Sequence, residues 1–155
     1  MKSDPRVIAA LNDVLAGELT AINQYFLHGR MALSWGFDKL GNTIYQHSIG
    51  EMKHASDLTD RILLLEGIPN LQKLGKLNIG ETIEEMFAAD LALEYDAIDC
   101  IRKGVTLCRE VNDPVSRELL ERTLQDEENH IDWIKTQQGL IQSIGMQNYL
   151  AKQIT

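Results

Sequence analysis

The amino-acid sequence predicts an all-α fold: an antiparallel four-helix bundle with one long crossover connection and a short fifth helix at the C-terminus. Three observations predict it. Four long stretches carry apolar residues at alternating three- and four-residue steps, the period of a helix with one buried face. The breaks between them run short, long, short. Only three prolines occur in 155 residues and apolar residues make up 44%, so long helices run uninterrupted around one core, and a single domain is expected over residues 1–155.

The first helix opens at Asp4-Pro5, an N-cap followed by proline at the first helical position, and is expected over 5–34. Its seam is Ile8, Leu11, Leu15, Glu18, Ile22, Tyr25, and Trp35-Gly36 breaks it. The second is expected over 40–66, with the seam Ile44, His47, Glu51, His54, Leu58, Leu65 and a stop at Gly67. Residues 67–81 carry Pro, Gly and Asn and read as an extended loop. Thr82 and Glu85 form a capping box that starts the third helix, 83–110, with the seam Ile83, Phe87, Asp90, Glu94, Ala97, Ile101, Val105. Asp113-Pro114 repeats the cap-plus-proline start and opens the fourth, 114–139. Its seam is Leu120, Thr123, Glu127, His130, Ile134, Ile141, with Gly145 as the break, and 146–153 reads as the terminal helix. Short turns make neighbours antiparallel, while the long loop can cross the length of the bundle.

Formal net charge is -8 and the pI is near 4.9. An acidic surface argues against nucleic acid as the main partner and suits the handling of cations. Cys100 and Cys108 both lie in a helical stretch with no CxxC, which fits reduced thiols and a cytoplasmic setting. The start, MKSDPRVI, lacks the apolar core of a signal peptide, and no stretch is long enough to span a membrane.

Glutamate is rarely buried unless it is paired or bound to metal. Yet Glu18, Glu51, Glu94 and Glu127 fall on seams otherwise built of apolar residues, as do His54 and His130. In Glu51-x-x-His54 and Glu127-x-x-His130, positions three apart share a helix face, so each pair points into the bundle at one level. Glu18, Glu51 and His54 recur 76 positions on, as Glu94, Glu127 and His130. A two-fold arrangement of helix pairs would join these six into one site. Four carboxylates and two imidazoles can hold two divalent cations, with two carboxylates bridging. This donor pattern is known from di-iron and di-manganese carboxylate bundles, so the reading matches an existing rule. Oxygen and nitrogen donors without thiolate suit iron or manganese, and zinc can compete. Tyr25 lies two turns beyond Glu18 and is either a core tyrosine or a partner of a ligand carboxylate that supplies a hydrogen bond or an electron. His28 and His47 read as structural or exposed. Glu66 and Asp132 read as solvated charges, with acidic entry points for cations as the second reading.

The first two helices offer a second apolar face: Leu19, Asn23 and Phe26 on one, Tyr45, Ile49 and Met52 on the other. Such a face usually marks a protein interface. Met52 adjoins Glu51 and points about a quarter-turn from the metal seam. It is either a packing residue or a soft axial ligand, since thioether ligates haem iron.

The stretches LNDVLAGELTAINQYFLHGRM, SIGEMKHASDLTDRILLLEGIPNLQKLGKLNIGE, DLALEYDAI and DEENHIDWIKTQQGLI resemble bacterioferritin over nearly the whole chain. The resemblance implies a ferritin-like four-helix bundle, with Glu18, Glu51, His54, Glu94, Glu127 and His130 as ligands of two iron ions per subunit and Glu51 and Glu127 bridging. It implies that Met52 from each of two subunits holds a shared haem b, which makes the second apolar face a haem-lined dimer interface. It further implies a homo-oligomeric shell of 24 subunits storing ferric mineral, and a bacterioferritin-associated ferredoxin passing electrons inward through the haem. Some relatives have an inner-surface iron site built on a His and an Asp where this chain has Gln46 and Gly50; that site is expected to be absent or altered, with His47 as a partial substitute. Some family shells mix subunit types, but this chain carries both the ligand set and Met52.

The expected activity is iron storage and detoxification by a ferroxidase, with Fe(II) and O2 or H2O2 as substrates and no nucleic acid or membrane partner. Rival readings are a shell subunit with weak catalysis at a zinc-filled site, and a di-iron peroxidase or oxygenase. The latter needs a substrate pocket, for which a bundle of this length leaves little room. Rubrerythrin-like peroxidases usually carry an added CxxC domain, absent here. A DNA-protecting mini-ferritin would set its ligands between subunits, and the acidic charge offers nothing to phosphate.

Overall fold

The structure, a computed structural model, describes all residues 1–155. It is all-helical: α1 (Pro5–Ser34), α2 (Asp38–Leu64), α3 (Ile83–Glu110), α4 (Pro114–Ile144) and α5 (Met146–Ala151). α1 packs on α2, α3 on α4, α1 on α3, and α5 on the end of α4.

The starts are built as local chemistry dictates. The Asp4 side chain accepts from the Arg6 N–H, that of Thr82 from Glu85 N–H, and that of Asp113 from Ser116 N–H. These bonds satisfy donors that a helix end leaves without partners. Glu85 also reaches back, accepting from the Glu81 N–H at 2.8 Å. α2 has no side-chain cap and begins at Asp38, two residues before the expected start. The Asp38 carboxylate favours that first turn, where the helix end is partly positive.

The ends differ in instructive ways. α2 stops at Leu64, and the residue in the left-handed region is Glu66, at φ 62°, rather than Gly67. Gly67 serves space instead: a Cβ there would lie 2.7 Å from Ile8 Cδ1. α4 runs through Gly139, which has open surroundings, and ends at Gly145 with φ 82°. α5 ends at Ala151, and the carbonyl of buried Gln153 accepts from Lys39 N–H at 2.9 Å, tying the C-terminus to α2.

Residues 65–82 form a long connection without helix or strand. α1 holds it with a ladder of polar side chains. Asn12 accepts from Asn70 N–H (2.8 Å), Thr20 Oγ1 from Gly75 N–H (2.8 Å), Gln24 Oε1 from Asn78 N–H (3.1 Å) and His28 Nε2 from Gly80 N–H (3.0 Å). Thr20, Gln24 and His28 are four apart, so they share one face. Asp90 on α3 closes the ladder, accepting from Gln24 Nε2 (2.8 Å) and His28 Nδ1 (2.9 Å). The crossover therefore runs along α1 from one end of the bundle to the other.

Two apolar clusters fill the bundle. One holds Leu11, Leu15, Leu58, Ile62, Ile101 and Leu120; the other holds Tyr25, Leu40, Ile44, Phe87, Ile134 and Tyr149. Every helix thus leaves a gap between its two apolar segments, and the buried glutamates occupy it. Near the α1–α2 turn the backbones touch: a Cβ on Gly41 would meet Leu33 Cγ at 2.7 Å and Leu33 N at 2.8 Å. Gly41→Ala is expected to destabilise the protein by about 1–3 kcal/mol, because forced overpacking outweighs the helix-propensity gain. Gly139→Ala, in open space, is expected to stabilise it by up to about 1 kcal/mol. Denaturant unfolding of the two variants reads both signs.

Candidate metal centre

Each helix contributes one glutamate to the polar layer. Glu18, Glu51, Glu94 and Glu127 are at most 4% exposed. His54 and His130 follow their glutamates by one turn on α2 and α4 and enter the same layer. The structure brings all six residues singled out by spacing into two overlapping groups. One comprises Glu18, Glu51, His54 and Glu127, the other Glu51, Glu94, Glu127 and His130, with donor atoms within 4.8 Å of one another in each group. Glu51 and Glu127 belong to both.

The protein groups do not satisfy this layer by themselves. Glu94 Oε2 and Glu127 Oε2 are buried without a hydrogen-bond partner. Glu127 Oε1 lies 3.1 Å from His54 Nδ1 but out of line for a hydrogen bond. His54 Nδ1 also lies 3.4 Å from both Glu18 Oε2 and Glu51 Oε2. His130 Nδ1 is 3.0 Å from Glu94 Oε1, which also accepts from the Tyr25 hydroxyl. Orphaned buried carboxylate oxygens are costly in an apo bundle and are what cations would satisfy.

Burial raises the pKa of Glu18, Glu94 and Glu127, with Glu127 adding to the rise at Glu94. For His54, burial acts downward, but Glu127, Glu18 and Asp126 outweigh it and push the pKa up to about 11. Metal-free, the layer therefore shares protons among its carboxyls and an imidazolium. Cations would displace those protons.

Other residues fall into place around it. Tyr25 is buried against the layer, its ring edge-on to His130 at 5.1 Å, and burial with the Glu94 charge raises its pKa well above normal. His47 is half-buried and joins neither donor group; its ring lies 4.0 Å from that of His130 and 4.7 Å from that of Trp133. Burial, and secondarily His130, lowers its pKa to about 3. His28 belongs to the crossover ladder. Glu66 pairs with the terminal amine of Met1 at 3.1 Å, and Asp132 is exposed; neither reaches the layer. Gln46 and Gly50 are exposed. Met52 is 53% exposed and lies with exposed Phe26 and Ile49 on the second apolar face.

Sequence reasoning missed two neighbouring residues and one cavity. Trp133 packs over His47 and Phe87. Asp126 accepts from His54 Nε2 at 2.8 Å. A cavity of about 310 Å³ between α1, the crossover and α3 reaches Glu18, and Asp13, Asp96 and Cys100 line it. The aspartates carry no periodic signal, because each sits on an otherwise solvated face. The expectation that such a bundle leaves little room for a pocket does not foresee that cavity.

A family model described as a ferritin-like domain matches residues 8–144. The chain is 49% identical over 152 residues to the bacterioferritin BfrA of Mycobacterium tuberculosis, covering 98% of this chain and 96% of that one. It is 46% identical over 151 residues to a bacterioferritin of Streptomyces coelicolor, covering 97% and 90%. For a bacterioferritin of Brucella melitensis the identity is 44% over 149 residues, covering 96% and 92%.

The raised carboxyls contribute stability that is fully present below their unfolded pKa of 4.5 and lost as pH rises through their folded values. The His54 contribution is present below 6.5 and lost as pH rises toward about 11. The melting temperature of metal-free protein is therefore expected to fall from about pH 5 to about pH 9. Zn(II) should raise it, and by more at the higher pH, because binding releases protons. Differential scanning calorimetry with and without Zn(II) measures both trends.

Proposed function

The chain belongs to the bacterioferritins of the ferritin-like family, and from that premise we propose that it stores iron and oxidises Fe(II) to Fe(III) at a di-iron centre inside each subunit. One observation carries the reading: two buried donor groups share Glu51 and Glu127, and carboxylate oxygens among them have no partner within the protein. Glu18 with His54 would complete one iron position and Glu94 with His130 the other, with Glu51 and Glu127 bridging. A donor set of oxygen and nitrogen without thiolate suits iron.

In the reaction each of two substrate Fe(II) ions gives up one electron. Dioxygen takes both with two protons and leaves as hydrogen peroxide; peroxide, taking two electrons and two protons, leaves as two waters. The chain supplies four carboxylates, which favour the ferric state over the ferrous. Tyr25 holds Glu94 Oε1, which leaves Oε2 as the free donor. The cavity beside Glu18 gives small solutes an approach, and its acidic lining suits a cation.

The assembly proposed is a 24-subunit homo-oligomeric shell holding ferric mineral. Its dimer interface is the face bearing Phe26, Ile49 and Met52, which are about half exposed in one chain, with Tyr45 against Phe26 beside them. Met52 is the thioether there, and two copies about a two-fold axis would hold one haem b, which would relay electrons from a bacterioferritin-associated ferredoxin. No helix is long and apolar enough to cross a membrane, and the proposed location is cytoplasmic.

Fe(II) added in air to stripped protein should give ferric absorbance far faster than buffer alone, in a particle many times the mass of one chain. Glu51→Ala should reduce the initial rate by at least tenfold, about 1.4 kcal/mol in the barrier. A rate equal to buffer with both proteins would exclude the ferroxidase, and a monomeric mass would exclude the shell. Met52→Leu should abolish a bis-thioether haem spectrum; an unchanged spectrum would remove Met52 from that role.

A further inference from the structure

The two histidines of the layer are not held alike. His54 presents Nδ1 to Glu18, Glu51 and Glu127, and on the opposite side of the ring its Nε2 meets Asp126 Oδ2 at 2.8 Å. His130 presents Nδ1 to Glu94, but its Nε2 makes no hydrogen bond within the chain; the rings of Tyr25, His47 and Trp133 lie beside the imidazole. One imidazole thus has a carboxylate behind its metal-facing nitrogen, and the other has none.

Asp126 is well placed for this. It precedes Glu127 on α4, so its side chain leaves the helix about 100° away from that of Glu127. Glu127 points into the layer, while Asp126 reaches the outer edge of His54. Asp126 is 63% exposed, so packing does not account for its position. It lines, with Lys53, His54, Asp57 and Arg122, a cavity of about 220 Å³ between α2 and α4. A neutral imidazole that donates from Nε2 carries its lone pair on Nδ1, and a carboxylate acceptor fixes that tautomer and raises the basicity of the metal-facing nitrogen.

We propose that Asp126 is a positioning residue that makes the two metal positions unequal, strengthening the one served by Glu18 and His54. The inference rests on the di-metal reading of the layer. Metal enters first on the His54 side and leaves it last, while the His130 side, with no carboxylate behind its imidazole, exchanges more readily. Outer partners of ligand histidines typically change metal affinity by about 10–100-fold.

The test uses Co(II), which air does not oxidise at such a site, added anaerobically to the stripped whole assembly and followed by calorimetry and by visible absorption. Wild type should bind two Co(II) per chain in two resolved events. Asp126→Ala should weaken the tighter event about 10–100-fold, change its Co(II) spectrum and leave the weaker event alone. Asp126→Asn, which keeps an oxygen acceptor, should recover part of the loss. Glu94→Gln should remove the weaker event and spare the tighter one. Asp126→Ala with both affinities and the spectrum unchanged, or with both events weakened equally, overturns the role of Asp126 alone. A wild-type protein that takes up no Co(II) overturns the metal centre itself and the Asp126 role with it.

Discussion

Four carboxylates closed into one buried layer cannot all stay ionised without positive charge among them, and this constraint organises the molecule. In a low-dielectric interior, like charges a few ångströms apart repel strongly, and each also loses its hydration. An ordinary bundle would place leucine or isoleucine at this level. Here the apolar burial that holds the helices together is split into clusters above and below, and the layer between them is satisfied by shared protons, an imidazolium or cations. The helices must therefore be held by something other than the layer that does the chemistry. The close α1–α2 contact at Gly29 and Gly41 and the crossover ladder are two such devices.

The site is also lopsided. The cavity between α1, the crossover and α3 touches Glu18, and the cavity between α2 and α4 touches His54. Both approaches meet the same half of the layer from opposite sides. The other half, Glu94 with His130, is bordered by the rings of Tyr25, His47 and Trp133. Two donor groups that look equivalent in the 76-residue repeat thus differ in their surroundings.

Much of this was legible in the chain. The Asp-Pro starts and the Thr82–Glu85 box mark helix beginnings because capping is local chemistry. The six donors stand out because a charged residue on an apolar seam needs a reason. What stayed hidden was long-range or lay off the seam. Thr20, Gln24 and His28 look unremarkable until a loop some fifty residues later presents its N–H groups to them. Asp90 was on the seam without a purpose, because its partners lie on another helix. Asp126 looked like any surface acid, since nothing local marks a residue that acts across the α2–α4 gap. Glu66, not Gly67, takes the left-handed conformation, and the glycine is there because a Cβ would strike Ile8 on α1, a contact made across the sequence.

The crossover ladder has a consequence for how the chain tolerates change. α1 is used on the core side, by the crossover and at the close approach to α2, so 13 of its 30 residues are buried, against 8 of 31 in α4. Its outer face then carries Phe26, about half exposed. Within one subunit the constraint is therefore uneven: apart from Asp126, much of the solvent side of α4 has no partner in the same chain, whereas almost every turn of α1 answers to at least two neighbours at once. An engineer recoding the surface would find far more freedom on α4, and a substitution on α1 chosen to suit one neighbour would often be vetoed by another.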